Sequence, residues 1–168
     1  VKEIVNQDMS LDPKRFDPKK IKRAISNAKN QCFTANELEE KADNHFDKII
    51  ADAYRRYRIS LSKNNALDFD DLLLLPVFLL RQNDLVRDYW HKRFQHVLVD
   101  EYQDTNRTQY ELIKLITAGN TEPNKFCEWN DRSIFVVGDA DQSIYSFRAA
   151  DFRILIGFQE DFKNSSNN

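Results

Sequence analysis

The chain has 168 residues, of which 41% are hydrophobic and 31% are charged, a composition typical of a globular protein that can bury a core. Its net charge of −2 is uneven, because residues 1–63 carry 14 basic against 10 acidic side chains and residues 64–168 carry 11 against 17. The longest apolar run covers nine residues and includes a proline, which excludes a membrane-spanning helix, and the two cysteines and three histidines are too scattered to predict a metal site.

The amino-terminal third shows the three- and four-residue periodicity of amphipathic helices. Asp17 followed by Pro18 predicts an N-cap and a first helical position, after which apolar residues recur on one face. Thr34 and Glu37 form the pattern of a capping box, which predicts a second helix start. From there an apolar stripe continues to about Ser60, so we expect a single long helix.

Residues 67–162 change to an alternation of helices and strands, the order typical of a parallel α/β sheet. Asp68 is the expected cap of a helix that is apolar nearly all round and contains Pro76, which should kink or interrupt it. The elements expected next are a short helix around 85–90, a strand at 96–99, a helix opened by Thr105, a strand at 133–137 and a helix over about 150–162.

The segment VLVDEYQDTN, at positions 97–106, is an apolar run that ends in two adjacent carboxylates, Asp100 and Glu101. A buried parallel strand is a nearly continuous apolar run, and ligands of open α/β sheets bind beyond the carboxyl ends of the strands. One carboxylate there can hold Mg²⁺ on nucleotide phosphates, and its neighbour can deprotonate an attacking water. The pair therefore predicts a Walker B element, with a solvated strand end as the simpler alternative.

A second segment repeats this design. SIFVVGDADQSIYSFR, at positions 133–148, is an apolar run followed by Gly138 and then by Asp139, Asp141 and Gln142. Because the carboxyl ends of parallel strands meet at one edge of a sheet, we expect both segments to deliver acidic and amide groups to the same edge.

At this point the residues resemble a known family. DEYQDTN at 100–106 and VVGDADQSIYSFRAAD at 136–151 are similar to the second and third motifs of the UvrD/Rep/PcrA-like superfamily I DNA helicases. LDFDDLL at 67–73 resembles the segment where those proteins re-enter their first RecA-like domain after a helical insertion. The resemblance implies an α/β fold, with an incomplete RecA-like parallel-sheet domain over residues 67–168 and an all-helical subdomain over residues 1–66.

The resemblance further implies an internal fragment of an ATP-driven 3′-to-5′ single-stranded-DNA translocase or helicase of DNA repair or replication. Its parent would use ATP and Mg²⁺, act in the cytoplasm without a membrane, and work on single-stranded and partly duplex DNA together with its remaining helicase domains. The glycines are Gly119, Gly138 and Gly157, none followed by Lys, so the chain contains no P-loop pattern G-x-x-x-x-G-K-[ST]. We therefore expect no cofactor bound to this fragment and no activity from it alone.

The resemblance also implies roles for individual residues on the nucleotide side. Asp100 would be the Mg²⁺ ligand, and Glu101 would be the general base. Gln142 would sense the γ-phosphate, because its amide can donate to a phosphate oxygen or to the attacking water. Gln103 and Asp104 would support the motif by tying it to neighbouring elements.

On the DNA side, the resemblance implies that Tyr145 and Phe147 stack on single-stranded bases with Arg148 beside them. Many family members have Trp where Phe147 stands, which predicts a smaller stacking platform. The family's usual Gly after the arginine is Ala149 here, so the turn should differ if that position needs a positive φ. The competing interpretation of both rings is ordinary packing under the sheet edge.

Two other classes of function stay open. One is a non-catalytic module that binds DNA or a partner protein. The other is a metal-dependent phosphodiesterase that uses Asp100, Glu101, Asp139 and Asp141 around two metals ~3.5–4 Å apart. A nuclease would need only metal and DNA, a helicase would need ATP, and a binding module would need neither.

Overall fold

The computed structural model describes residues 1–117, 132–139 and 151–162. Within these ranges the chain forms seven α-helices and two β-strands, together with a π-helical turn at Ile4–Asp8 and a 3₁₀ turn at Tyr102–Asp104. In chain order the elements are α1 (Pro18–Asn30), α2 (Ala35–Glu40), α3 (His45–Lys63), α4 (Asp71–Gln82), α5 (Asp84–Arg93), β1 (His96–Val99), α6 (Arg107–Thr117), β2 (Ser133–Val136) and α7 (Phe152–Asp161). No helix among the described residues has the length and apolarity to cross a membrane.

The chain divides into two compact units, which we call unit 1 (Val1–Leu72) and unit 2 (Leu73–Asn168). In unit 1 the predicted N-cap of α1 is confirmed, because Oδ1 of Asp17 accepts a hydrogen bond from the backbone N–H of Lys19 at 2.9 Å. The helices of unit 1 enclose a small apolar core, whose buried members are Val5, Phe16, Ile21, Ile25, Ala28, Ala35, Ile49, Ile50, Ala53 and Tyr54. The functional domain boundary after residue 66 stays a prediction.

The single long helix expected after Thr34 is wrong, because the chain forms two helices, α2 and α3. The capping box itself is present: the N–H of Glu37 donates to Oγ1 of Thr34 at 3.2 Å, and the N–H of Thr34 donates to Oε2 of Glu37 at 2.7 Å. However, α2 ends at Glu40, and Asn44 caps α3 by accepting the N–H of Asp47 at 3.0 Å. The side chain of Asn44 offers the backbone an alternative to one continuous helix, because it satisfies an N–H at the start of α3, although the apolar periodicity continues across the break.

The helix expected after Asp68 is also present, as α4. Asp68 and Asp71 each accept the other's backbone N–H, at 2.9 and 3.2 Å, which closes the turn before the helix. The chain then stays helical through Pro76, so the interruption allowed by the sequence does not occur. Proline removes one hydrogen bond of the helix ladder, and Leu74 and Val77 on either side of it are buried, which favours the helical path.

In unit 2, β1 and β2 pair in parallel with Val97 opposite Ile134 and Val99 opposite Val136. This arrangement confirms the α/β class among the described residues. One face of the pair packs on an aromatic and aliphatic cluster, whose buried members are Tyr102, Tyr110, Ile154 and Phe162. On the opposite face, the side chains of Leu98 and Phe135 are 75% and 61% exposed.

Two polar anchors hold the helices that flank the sheet. α6 begins at Arg107 rather than at Thr105, because Asn106 and Gln109 form a capping box with N–H···O distances of 2.9 and 3.0 Å. Arg132, just before β2, donates from its guanidinium to carbonyl oxygens at the carboxyl ends of α5 and α6, which belong to His91, Phe94 and Ile116. These contacts fix the start of β2 against both helices.

Candidate functional site

The two adjacent carboxylates lie where the strand–turn pattern predicts. Asp100 and Glu101 follow the last residue of β1, and both are exposed. Together with Asp104 they line an open pocket of about 360 Å³, whose apolar wall includes Leu73 and Ile113. The pocket thus has an acidic mouth at the carboxyl end of a parallel strand, the place where open α/β sheets bind ligands.

Glu101 has a strained backbone conformation. Its φ of 51° and ψ of 41° lie in the left-handed region, which costs a non-glycine residue on the order of 1–3 kcal/mol. Three contacts hold it there: its N–H donates to Oδ1 of Asp100 at 2.9 Å, its carbonyl accepts the N–H of Asp104 at 2.9 Å, and the next N–H, that of Tyr102, donates to the carbonyl of Val137 at 2.8 Å. Strain of this kind often accompanies function, because the turn aims a side chain.

Gln103 joins the two segments that the sequence singled out. It is only 2% exposed, and its Nε2 donates to Oε2 of Glu101 at 2.6 Å. Its Oε1 accepts the backbone N–H of Asp139, just beyond β2, at 3.0 Å. One buried amide therefore connects a carboxylate at the end of β1 to the backbone at the end of β2.

Gly138 makes this bridge possible. A Cβ at this position would lie 2.6 Å from Oε1 of Gln103 and 3.1 Å from its backbone nitrogen. The glycine is therefore required by close approach. The ladder between the strands also continues past their ends, since the N–H of Val137 donates to the carbonyl of Val99 at 2.8 Å. The expectation that both segments deliver polar groups to one edge of the sheet is met for Asp100, Glu101 and Asp139.

Tyr102 supports the turn from beneath. Its ring is fully buried and lies edge-on to Phe158, with centroids 5.6 Å apart, while its hydroxyl oxygen is buried without a hydrogen-bond partner. Burial raises the pKa of this hydroxyl to about 12, with a smaller contribution from the charge of Asp161. Burial likewise raises the pKa of Tyr110, whose hydroxyl also bonds to Asp161. The aromatic layer thus fixes the main chain that carries the polar residues.

The acidic mouth has the oxygen chemistry that Mg²⁺ prefers. In nucleotide sites Mg²⁺ is usually held by one or two carboxylates together with substrate phosphates and water, so the exposed Asp100 is a suitable ligand. Within the described ranges, no group of three or more His, Cys, Asp or Glu side chains is arranged to hold a metal by itself.

Several predicted site residues fall outside the described residues. They are Asp141, Gln142, Tyr145, Phe147, Arg148 and Ala149. Their roles stay predictions. Among the described residues, the sequence reasoning missed the contact between Gln103 and Gly138, because no local pattern connects positions 35 residues apart. A glycine directly after an apolar strand was the available signal.

Comparison with known proteins gives a consistent result. The sequence profile of the family described as the UvrD/REP helicase N-terminal domain matches residues 1–163. The ATP-dependent DNA helicase PcrA of Bacillus subtilis is 39% identical over 160 residues, which cover 95% of this chain and 20% of that protein. The proteins of the same name from Staphylococcus epidermidis and Staphylococcus aureus are 38% and 36% identical, over 96% and 99% of this chain. The chain spans about one fifth of the length of these relatives.

Proposed function

This chain belongs to the UvrD/REP helicase family, and from that membership we propose that it is part of an ATP-driven 3′-to-5′ single-stranded-DNA translocase or helicase. The relatives it matches are named ATP-dependent DNA helicases, which supports ATP as the fuel and DNA as the partner. The observation that carries the proposal is the Glu101 carboxylate, held by the buried Gln103 at the carboxyl end of β1. Such a protein would work in the cytoplasm, in DNA repair or replication.

On this proposal, Asp100 is the residue that holds Mg²⁺ on the phosphates of ATP. The ion would neutralise charge that develops on the transferred phosphoryl group. Oδ1 of Asp100 accepts the N–H of Glu101, which fixes the direction of the carboxylate before any ligand arrives. An oriented ligand avoids the reorganisation that a mobile carboxylate would need at the moment of binding.

Glu101 is the proposed general base. With Oε2 held by Gln103, Oε1 is the oxygen that we assign to the attacking water and its proton. The left-handed backbone of Glu101 turns its side chain out of the strand direction and into the mouth of the pocket. Gln103 and Asp104 are then support residues, the first as a bridge and the second as a further carboxylate in the pocket wall.

The third motif supplies the remaining proposed roles. Gln142 senses the γ-phosphate, and Tyr145, Phe147 and Arg148 contact single-stranded DNA. We further propose that residues 1–66 are the helical insertion and residues 67–168 a part of the RecA-like domain. Because the chain carries no P-loop pattern, we propose that it does not hydrolyse ATP without the other parts of the full-length protein.

The proposal is tested by Glu101→Gln in the full-length protein. We expect ATP affinity to stay within about twofold and kcat for DNA-stimulated hydrolysis to fall ~100-fold or more, the scale for a positioned base. Glu40→Gln, at an exposed position of α2, is the matched control and should change neither quantity. An unchanged kcat in Glu101→Gln would show that Glu101 is not the base.

A second experiment separates the alternatives. The 168-residue chain should release no phosphate from ATP with or without single-stranded DNA, and it should cleave no DNA in Mg²⁺ or Mn²⁺. Cleavage would favour the phosphodiesterase. A full-length protein that binds DNA but hydrolyses no ATP would favour the non-catalytic binding module.

A further inference from the structure

The side-chain amide of Gln103 fits its surroundings in one orientation. An amide donates from its nitrogen and accepts at its oxygen, whereas an ionised carboxylate can only accept and a backbone N–H can only donate. Nε2 lies 2.6 Å from Oε2 of Glu101, and Oε1 lies 3.0 Å from the backbone nitrogen of Asp139, so both neighbours are satisfied. The N–H of Asp139 therefore determines that the amide presents its donor to Glu101.

Burial makes this orientation strongly preferred. Gln103 is only 2% exposed, so a reversed amide could not replace its lost hydrogen bonds with water. The reversed amide would also place its oxygen against the carboxylate of Glu101 and its NH₂ group against the N–H of Asp139. A buried polar group without a partner costs more free energy than a typical hydrogen bond contributes. The donor at Glu101 thus depends on the hydrogen bond at Asp139.

The main chain that supplies this bond is fastened to the turn that carries Glu101. The N–H of Val137 donates to the carbonyl of Val99, and the carbonyl of Val137 accepts the N–H of Tyr102, both at 2.8 Å. Gly138 permits the close approach, since a Cβ there would lie 2.6 Å from Oε1 of Gln103. The backbone just beyond β2 therefore holds the amide in place.

The orientation of Glu101 matters for its proposed role as a general base. A base must lie within hydrogen-bond reach of the proton that it abstracts, and a hydrogen bond on one carboxylate oxygen leaves the other for that proton. Hydrogen bonds to an ionised group are also stronger than those between neutral groups. The left-handed backbone fixes one end of Glu101, and the amide of Gln103 fixes the other.

We propose that Gln103 is a positioning residue for ATP hydrolysis, which makes the working orientation of Glu101 depend on the backbone at residues 138–139. This proposal rests on the proposed function, since it takes Glu101 as the base. Gln103 acts through Glu101, so its loss should impair the chemical step and leave ATP binding intact.

The test uses Gln103→Met in the full-length protein, which keeps a side chain of similar length and removes both ends of the amide. We expect kcat per ATP-binding site to fall roughly 10-fold or more at an unchanged KM for ATP, since small misplacements of positioned groups are costly. Binding sites are counted with a fluorescent ATP analogue, so that a loss of folded protein is not read as a loss of rate. Gln159→Met, at an exposed position of α7, is the matched control and should leave kcat unchanged.

A double variant asks whether Gln103 acts through Glu101. In a protein that already carries Glu101→Gln, Gln103→Met should lower kcat by less than about threefold, because residues that act as a unit are not additive. If Gln103→Met lowered kcat as much in that background as in the wild type, its effect would be independent of Glu101 and the proposal would be overturned. An unchanged kcat in Gln103→Met alone would overturn it as well.

Gly138→Ala tests the dependence on the end of β2 without altering Gln103 or Glu101. The added methyl group displaces the amide, so kcat should fall at an unchanged KM for ATP. A kcat equal to that of the wild type would show that Glu101 does not depend on the backbone at residues 138–139.

Hydrogen exchange without nucleotide gives a readout that needs no activity. In Gln103→Met the amide of Asp139 should exchange faster, because it loses the oxygen that it donates to, while the amide of Val137 keeps its protection. Equal loss of protection at both amides would mean that the substitution unfolds the end of β2, which would overturn the proposal.

If Gln103→Met does not fold, Gln103→Glu replaces it in these experiments. That substitution keeps an acceptor for the N–H of Asp139 and removes the amide donor to Glu101, so kcat should fall while the Asp139 amide stays protected. A wild-type protein without ATPase activity would instead contradict the proposed function, and the exchange data would still decide whether Gln103 holds Asp139.

Discussion

At position 138 a single hydrogen atom occupies the place of a side chain, because the amide of Gln103 fills the space beside it. Gly138→Ala would place a methyl group 2.6 Å from Oε1 of Gln103 and 3.1 Å from its backbone nitrogen. We expect the free energy of unfolding to fall by about 1–3 kcal/mol, as for other overpacked sites. Urea unfolding followed by circular dichroism measures this.

The matched control is Gly157→Ala, in the interior of α7, where the nearest neighbour is the carboxylate of Asp161 at 3.3 Å. That substitution should cost less than Gly138→Ala, because the preference of a helix for alanine over glycine, about 0.5–1 kcal/mol, offsets the small shift that Asp161 must make. If Gly138→Ala and Gly157→Ala changed the free energy of unfolding equally, the side-chain amide of Gln103 would not lie against Gly138 as we describe.

The hydroxyl of Tyr102 is buried without a hydrogen-bond partner, whereas that of Tyr110 bonds to Asp161. Tyr102→Phe should therefore raise the free energy of unfolding by up to about 1 kcal/mol, since it removes a polar atom that folding leaves unpaired. Tyr110→Phe should lower it by about 1 kcal/mol, the net value of a typical hydrogen bond. Thermal and urea denaturation of both variants check the difference in sign, and equal effects would show that the two hydroxyls have similar surroundings.

At the scale of single residues, local patterns predicted that Asp100 and Glu101 follow a strand, because a strand end and its charges are adjacent in sequence. The bridge formed by Gln103 and the strained backbone of Glu101 depend on contacts with residues 137–139 and could not be inferred from residues 100–106 alone.

At the scale of elements, helix starts were predictable where a capping side chain stands beside its helix, as at Asp17 and Thr34. The break between α2 and α3 was not, because the apolar stripe keeps its helical spacing across it. Asn44 caps the start of α3, because its Oδ1 accepts a hydrogen bond from the N–H of Asp47. The periodicity of apolar residues indicates which face of a helix is buried. It does not indicate whether the backbone stays helical between two buried residues.

Asn44→Ala tests this account of the break. Without the cap, the free energy of unfolding should fall by about 1 kcal/mol, the usual value of an N-cap side chain. Asn27→Ala, at an exposed position inside α1, is the control and should have no destabilising effect. A loss of equal size in both variants would mean that Asn44 does not act as a cap.

At the scale of the whole molecule, the ion pairs that the buried Lys29 forms with Asp68 and Asp71, both at 2.7 Å, predict how the free energy of unfolding depends on pH. Burial alone would raise the pKa of Asp68, but the hydrogen bond and charge of Lys29, with the N–H of Asp71, outweigh it and hold the pKa below its ordinary value. A depressed carboxyl pKa contributes stability that is complete above about pH 5 and is lost as pH falls through the folded-state value.

The urea midpoint of the chain should therefore decrease as pH falls below about 5, and part of this decrease should disappear in Asp68→Asn. If the urea midpoint fell with pH equally in the wild type and in Asp68→Asn, the protonation of Asp68 would not be coupled to folding.

The exposed face of the β1–β2 pair has a second consequence at this scale. Purely parallel sheets are normally covered on both faces, yet Leu98 and Phe135 are largely exposed. We expect the isolated chain to self-associate with rising concentration in sedimentation velocity, and Leu98→Thr with Phe135→Thr to reduce this. Leu85→Thr, on α5, is the control. A monomer at all concentrations would contradict the expectation.

Apart from the break between α2 and α3, the order of helices and strands, the parallel pairing and the α/β class followed from the sequence, because apolar runs and turn residues are local signals. The division into compact units was less accessible. Lys29 lies 39 residues from Asp68 and carries no pattern that distinguishes it from the solvated lysines nearby on α1. Its burial became visible only when the folded positions of α1, α3 and the turn were known.

The buried amide of Gln103 also constrains how this sequence can diverge. Since Oε1 of Gln103 occupies the space that any Cβ at position 138 would need, we expect the effects of substitutions at the two positions to depend on each other. A library randomised at both positions and selected for folded protein should recover larger residues at 138 only beside shorter ones at 103. The order of substitution then matters. A shorter residue at 103 makes room for a larger residue at 138, whereas replacement of Gly138 while Gln103 is present would destabilise the fold.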